Sequence, residues 1–353
     1  MAQRDQSLDI LRAFAPGTPL RNAIELILRQ ETGALIVLGY GRDVEALCTG
    51  GFSLDGADFS AARLAELAKM DGAVITDEAA EVIYRANVHL YPDPSIETTE
   101  TGTRHRTAER VAQETGRTVV VVSEGRQTIT VYQKASKTEL RSPTALLTQA
   151  NQNLLTLERF RRRLSEEESR LTQAEVDDIA VFRDPVRFLQ RAALVRRIGR
   201  DLRHYAIELG GEGRLIHLQL DDLLAGVSEM AELVYADHAR KYPPKSTQPL
   251  ELLDPLDTEQ LSDEAKVASL LDFGPLDNPA KPRGYRILDR IPRLPDAVKE
   301  SLVGHFEDLQ ALLYATVSEL DEVEGVGRAR AQQMRHYFDR LLDATRPWEA
   351  GEE

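Results

Sequence analysis

No glycine falls between Gly125 and Gly199, and that gap divides what this chain can become. Beyond residue 143 apolar side chains recur three and four positions apart, through Leu146, Leu147, Leu154, Leu157, Phe160 and Leu164, the spacing of one buried helical face. Upstream, glycine is frequent and the apolar runs are short: 34–38, 44–48, 73–76 and 82–85, broken by Gly39, Gly41, Gly50 and Gly51. Runs bounded in this way read as strands. Residues 8–14, 19–30 and 63–70 carry apolar positions at helical spacing instead. The β-branched run 118–122, a turn at Gly125 and the alternating stretch 128–132 predict a β-hairpin. Strands alternating with helices predict a mixed α/β (α+β) domain over residues 1–142, a sheet covered by helices.

The remainder divides into an all-α middle, 143–280, and a third domain, 281–353. In the middle, 176–209 reads as one long helix kinked before Pro185, whose ring clashes with a carbonyl one turn earlier. Arg183, Arg187, Arg191, Arg196, Arg197, Arg200 and Arg203 lie along it, interleaved with Asp177, Asp178, Asp184 and Asp201. Mixed charge of this kind predicts a solvated or intersubunit face in preference to a nucleic-acid stripe. Gly210, Gly211 and Gly213 end the helix; 215–235 predicts another, 242–255 with its prolines a loop, and 263–271 a short helix.

The third domain contains Val323-Glu324-Gly325-Val326-Gly327-Arg328-Ala329-Arg330-Ala331, the pattern of a helix-hairpin-helix. Its Gly-x-Gly turn presents backbone amides at a helix start, where they bind DNA phosphates without reading bases. Gly325, Gly327, Arg328 and Arg330 are therefore the expected DNA contacts, with Arg335 adding local charge. Residues 286–312 resemble a second hairpin in which Ile291-Pro292-Arg293-Leu294-Pro295 stands where Gly-x-Gly would be, and packing is its expected role. A helix-hairpin-helix can also dock protein. The net charge of −14 argues against a surface that coats nucleic acid, so any DNA contact is expected to be local. The single cysteine, Cys48, excludes an internal disulfide framework and a cysteine zinc site, and it is expected to be a buried, inert thiol. The first seventeen residues carry charge throughout, and no apolar run approaches the length of a membrane span. A cytoplasmic protein without membrane contact is the expectation.

The chemistry concentrates in two segments of the first domain. Asp71-Gly72-Ala73 stands where a helix should end and a strand begin, a place suited to a carboxylate holding a divalent metal, with Gly72 letting backbone approach a ligand. Gly102-Thr103-Arg104-His105-Arg106-Thr107 opens the helical pattern of Ala108, Val111 and Ala112. Thr103 is the expected N-cap. A helix start offers unpaired N–H groups and positive potential, which suit phosphate; cations there cost stability unless an anion offsets them.

These two segments, with Ala86-Asn87-Val88-His89-Leu90 and Ser123-Glu124, resemble the diadenylate cyclase domain. The order of nucleotide domain, helical middle and helix-hairpin-helix resembles the DNA-scanning members of that family over essentially the whole length. The resemblance implies condensation of two ATP into cyclic di-AMP across a two-fold interface of facing domains, with Mg²⁺ or Mn²⁺ as cofactor. It places the metal on Asp71, which also helps deprotonate or orient the ribose 3′-hydroxyl, with His105 a second metal or phosphate contact. It gives the triphosphate to Arg104, Arg106 and Thr107, backbone approach to Gly72, adenine packing to Leu90, and nucleotide contacts to Ser123 and Glu124. Asp71, His105 and Arg104 are thus the implied catalytic set. It further implies a homo-octamer, nucleoid association, and inhibition by branched DNA such as Holliday junctions. Two other readings stay open: a nucleotide-responsive junction-binding protein without turnover, and a nucleotidyltransferase that adds AMP to a protein or nucleic acid.

Overall fold

The computed structural model describes residues 12–240 and 247–345. The expected helix at 8–14 and the expected loop at 242–255 each lie partly outside them. The chain forms two compact units, one comprising residues 1–152 and 203–217 and the other 153–202 and 218–353.

In the first unit, helix α1 (Pro19–Arg29) starts at the N-cap Thr18, whose side chain accepts from the Arg21 N–H, with Pro19 in its first turn. Strand β1 (Ala34–Leu38) follows, buried throughout. Residues 44–48, expected to be a strand, belong instead to α2 (Arg42–Leu47) and the first residue of the two-residue β2 (Cys48–Thr49). The run was too short to settle its period: Val44 and Leu47, three apart, are its buried positions, and those mark a helical face as readily as a strand. Cys48 is half-buried, donates to the Val44 carbonyl, and has its thiol pKa raised chiefly by burial. Then come β3 (Phe52–Asp58), α3 (Ala61–Leu67, capped by Ser60), β4 (Ala73–Thr76), β5 (Val82–Leu90), α4 (Thr103–Thr115), β6 (Thr118–Ser123), β7 (Thr128–Gln133) and β8 (Ser136–Leu140).

The strands make one sheet in the order β2-β5-β4-β1-β6-β7-β8, with β3 also paired to β5. Only β1 and β4 run parallel; the other pairs are antiparallel. One face packs on α1 and α3 through Ile24, Ile27, Leu64, Ile36 and Val122. The other packs on α2 and α4 through Val44, Ala108, Val111, Val37 and Val121. The first domain is therefore three layers, helices on both faces of a mixed sheet, and both faces of its central strands are apolar because both are covered.

The helices α5 (Pro143–Val176), α6 (Arg183–Glu208) and α7 (Arg214–Leu224) follow, α6 and α7 separated by a 3₁₀ turn at Gly210–Gly213. Two expectations change here. No helix runs unbroken from 176 to 209; α5 ends at Val176 and α6 begins at Arg183. Pro185 sits in the first turn of α6, where its missing N–H removes no helical bond, so it starts a helix and kinks none. Similarly, 215–235 is two helices, α7 and α8 (Val227–His238), parted at Gly226 with φ +72°.

The second unit uses the arginines of α6 internally. Arg183 and Arg187 pair with Glu264, Arg196 and Arg200 with Asp254, and Arg197 donates to the Leu256 carbonyl. Those acceptors lie on or beside α9 (Pro249–Leu252), α10 (Thr258–Ser262) and α11 (Glu264–Leu270). The remaining helices are α12 (Tyr285–Asp289), α13 (Asp296–His305), α14 (Leu309–Tyr314), α15 (Val317–Asp321) and α16 (Arg328–Thr345). The α12–α13 and α15–α16 hairpins share one core, to which each contributes corresponding positions: Leu288 and Leu320, Ile291 and Val323, Leu294 and Val326, Phe306 and Phe338.

At the start of α12 lies a buried ionic cluster. Asp237 accepts from the backbone N–H groups of Gly284, Tyr285 and Arg286, and the fully buried Arg286 donates to Thr172 and pairs with Glu175. His238 Nε2 lies 2.9 Å from the other oxygen of Glu175.

Candidate functional site

Asp71 stands on the short connection between α3 and β4, its side chain 93% exposed. The connection is fixed by β5: Asn87, at φ +56°, accepts the Gly72 N–H on its side-chain oxygen at 3.1 Å. A Cβ on Gly72 would meet the Asn87 and Val88 backbone at 2.3–2.6 Å. Gly72 is thus required by the approach of β5, a purpose different from the ligand approach expected of it.

Across from Asp71, α4 begins with Gly102 as N-cap and Thr103 as the first helical residue. This corrects the expected cap: no side chain caps this helix, and its first turn carries no acid. Its free N–H groups therefore remain available to an anion. Arg104 reaches over Gly33, where a Cβ would meet its guanidinium at 2.1 Å, and donates to Asp71 Oδ1 at 2.8 Å. Gly33, which in the sequence is only the start of an apolar run, leaves the room that Arg104 occupies.

His105 Nδ1 lies 2.8 Å from the Tyr132 hydroxyl, which donates to Glu100 Oε1 at 2.9 Å; Lys137 binds the same oxygen, at the 2.5 Å of a short charged contact. The hydrogen bond from Lys137 holds Glu100 below the usual carboxylate range despite some burial. Burial lowers the imidazole of His105, against the pull of Glu100, and the same effect, reinforced by Glu100, raises the Tyr132 phenol.

A cavity of about 660 Å³ opens between these elements, within the range of roughly 300–1,000 Å³ typical of ligand sites. Asp71, Gly72, Arg104, His105 and Thr107 line one part of it, and Leu90 from β5 and Ser123 and Glu124 from the end of β6 are also in its wall. Residues more than fifty positions apart are thereby brought to one concavity. Arg106 does not join them. It points from α4 into a second hollow beside the loop 94–100, near Glu109 and Arg110, because successive helical residues diverge by about 100°.

Among the described residues no cluster of three or more His, Cys, Asp or Glu is placed to hold a metal. Asp71 and His105 do line the same cavity. One carboxylate and one imidazole fit an ion of the Mg²⁺ or Mn²⁺ type that takes its other ligands from phosphate and water. No described helix is long and apolar enough to cross a membrane.

The α15–α16 turn has Gly325 at φ +85° and Gly327 just ahead of Arg328, the first residue of α16. Arg328 is exposed, Arg330 donates to the Gly325 carbonyl, and Arg335 is used on the carbonyls of Leu313 and Ala315. In the α12–α13 turn Arg293 takes the positive φ, +60°, and Pro295 and Asp296 occupy the helix start. A proline and a carboxylate thus stand at this helix start, where the α15–α16 turn has Gly327 and Arg328.

Residues 21–137 match the family described as "DisA bacterial checkpoint controller nucleotide-binding", and residues 140–278 match the "DisA bacterial checkpoint controller linker region". The three-layer domain and its cavity are thus those of an enzyme of the diadenylate cyclase class. The similarity extends well past that domain. The chain is 49% identical to the DNA integrity scanning protein DisA of Acidothermus cellulolyticus, over 95% of this chain and 93% of that one. It is 47% identical to the same-named protein of Kineococcus radiotolerans, over 95% of each, and 46% identical to that of Symbiobacterium thermophilum, over 97% of each. The chain belongs to the DisA family.

Proposed function

We propose that this protein condenses two ATP molecules into cyclic di-AMP, releasing two pyrophosphates, and that branched DNA bound at the α15–α16 hairpin inhibits the reaction. The observation that carries the first part is the convergence of Asp71, Arg104, His105 and an uncapped helix start on one cavity of nucleotide size, in a chain of this family.

Each new phosphodiester forms when a ribose 3′-oxygen attacks the α-phosphate of the other nucleotide; the bond from that phosphorus to the bridging oxygen breaks, and pyrophosphate departs. Two such steps close the ring, which requires two domains facing across a two-fold axis. In the free protein Arg104 and Asp71 neutralise each other at 2.8 Å. A triphosphate draws the guanidinium away and frees the carboxylate, which accepts a hydrogen bond from the attacking hydroxyl and takes its proton. Thr107 and the first-turn N–H groups of α4 hold phosphate oxygens, Ser123 and Glu124 contact the nucleotide, and Leu90 packs on the base. Asp71 and His105 would hold a Mg²⁺ or Mn²⁺ ion, which supplies charge neutralisation on the triphosphate. Arg106, turned to the second hollow, has no part in this cavity. Positioning and charge stabilisation account for most of the catalysis.

For DNA, Gly325, Gly327, Arg328 and Arg330 are the contacts, the backbone N–H groups of the turn meeting phosphate. Arg330 must release the Gly325 carbonyl to join them. Assembly into a homo-octamer and association with the nucleoid in the cytoplasm complete the proposal. The test is incubation with ATP and Mg²⁺ or Mn²⁺, with and without a four-way junction, products being separated and weighed. Cyclic di-AMP suppressed by the junction is expected. Bound ATP without product under either metal would instead favour a nucleotide-responsive junction-binding protein, and AMP attached to another acceptor a transferase.

A further inference from the structure

The proton order in the chain Lys137–Glu100–Tyr132–His105 is determined by counting donors. Glu100, ionised and bound by Lys137, can only accept. Its one hydrogen bond with Tyr132 therefore uses the single phenolic proton, at 2.9 Å. The Tyr132 oxygen is left as an acceptor, and the group facing it at 2.8 Å is His105 Nδ1. A ring nitrogen that meets an acceptor must carry a proton.

The geometry points to Tyr132 and Glu100 as positioning residues that keep the proton of a neutral His105 on Nδ1, leaving Nε2 as the ring's lone-pair atom for the cavity. His105 then serves a bound nucleotide as an acceptor, towards a metal ion or a hydroxyl, and does not donate to phosphate. This separates two roles that residue type alone leaves open. It rests on the cyclase reading for the meaning of the cavity, and on this structure alone for the relay.

The relay is built into the fold. Tyr132 is 1% exposed, on β7 between β6 and the edge strand β8. The loop bearing Glu100 is tied to α4: the Asp93 N–H donates to Glu114, Thr98 bonds Glu109, and Arg110 donates to the carbonyls of Pro94 and Ile96. The His105 and Tyr132 rings meet edge to face, with centroids 6.1 Å apart. Outer partners of this kind fix ring tautomer and orientation, and losing them commonly costs about 10–100-fold in activity or metal affinity.

The test uses the full-length protein with ¹⁵N-labelled histidine rings, His105 being assigned with the variant His105→Gln. In the wild type its Nδ1 should be protonated and its Nε2 bare. In Tyr132→Phe, which removes one oxygen and keeps the ring, the proton should move to Nε2, with kcat falling on the order of 10-fold or more and KM for ATP held within about 2-fold. Glu100→Ala frees the phenol to donate to Nδ1 and should give the same signature. The double variant should be no worse than the worse single one, because both act through one proton. Glu100→Asp should restore part of the rate. A wild-type His105 protonated on Nε2, a Tyr132→Phe variant with unchanged kcat, or additive losses would each overturn the inference. Failure of the wild type to make cyclic product would count against the cyclase reading, while the ring spectrum still decided the tautomer.

Discussion

Asp71 and Gly72 are adjacent, and the structure separates what each does. Asp71 is almost wholly exposed and pairs with Arg104 at the surface, so Asp71→Asn should abolish cyclic product, by at least about 100-fold if the carboxylate takes the proton, and leave the melting temperature within a degree or two. Retained turnover would remove it from the mechanism. Gly72→Ala should do the reverse first: its Cβ has no room against Asn87, and overpacking of that kind costs about 1–3 kcal/mol, to be seen as a lowered unfolding midpoint. Sequence showed that these residues form a motif. It could not show that Asn87, fifteen positions on, holds Gly72, or that Gly33 clears the path of Arg104, because both depend on strand placement. Tyr132 and Glu100 were invisible for a similar reason: one reads as an ordinary apolar strand position, the other as part of a polar loop. Only the spacing of acceptor and hydroxyl relative to His105 makes them a unit.

At the scale of elements, the buried cluster that joins α5, α8 and α12 makes the clearest prediction. Arg286→Met would take the guanidinium from the buried Glu175 and leave it facing His238, and breaking such a pair from one side costs about 3–5 kcal/mol; urea denaturation of the second unit should show it. The cluster also gives stability a pH dependence. Burial and the charge of Glu175 push Asp237 up to about 6, although His238, the Arg286 guanidinium and the Arg286 backbone N–H oppose the shift. The folded state then holds a proton that the unfolded carboxyl, near 3.8, has already lost. Stability should fall as pH rises from about 4 through 6 and level off above it, and Asp237→Asn should flatten that stretch. Glu175 works with the opposite sign: burial would raise it, but Arg286 and His238 hold it low, so its share is lost when pH drops below the ordinary carboxylate range. Helix period, caps and turn glycines made most elements readable in advance. Failures came where a short run fits two periods, as at 44–48, or where proline's place within a turn decides between starting and bending a helix, as at Pro185.

For the whole molecule, a cyclase made of two half-sites should lose specific activity on dilution below its assembly constant, measurable as a rate that falls faster than protein concentration. With an excess of fourteen negative charges, the proposed DNA contact is expected to be local. Junction binding should therefore have a shallow salt slope, and Arg328→Glu should reduce both the affinity and the inhibition. The change from strands to helices near residue 143 could be read from composition, since glycine spacing and apolar period change there. The division into compact units could not, because residues 203–217 rejoin the first one after an excursion of fifty residues. The two hairpins that share a core also match position by position. Leu288, Ile291, Leu294 and Phe306 answer to Leu320, Val323, Val326 and Phe338, and Arg293 takes the backbone turn of Gly325. Each pair is separated by the same 32 positions, so one hairpin pattern is laid down twice along the chain. The second hairpin turns on two glycines and the first on an arginine, a proline and an acid, yet both close over one core, so a substitution that loosens the first should be felt in the second.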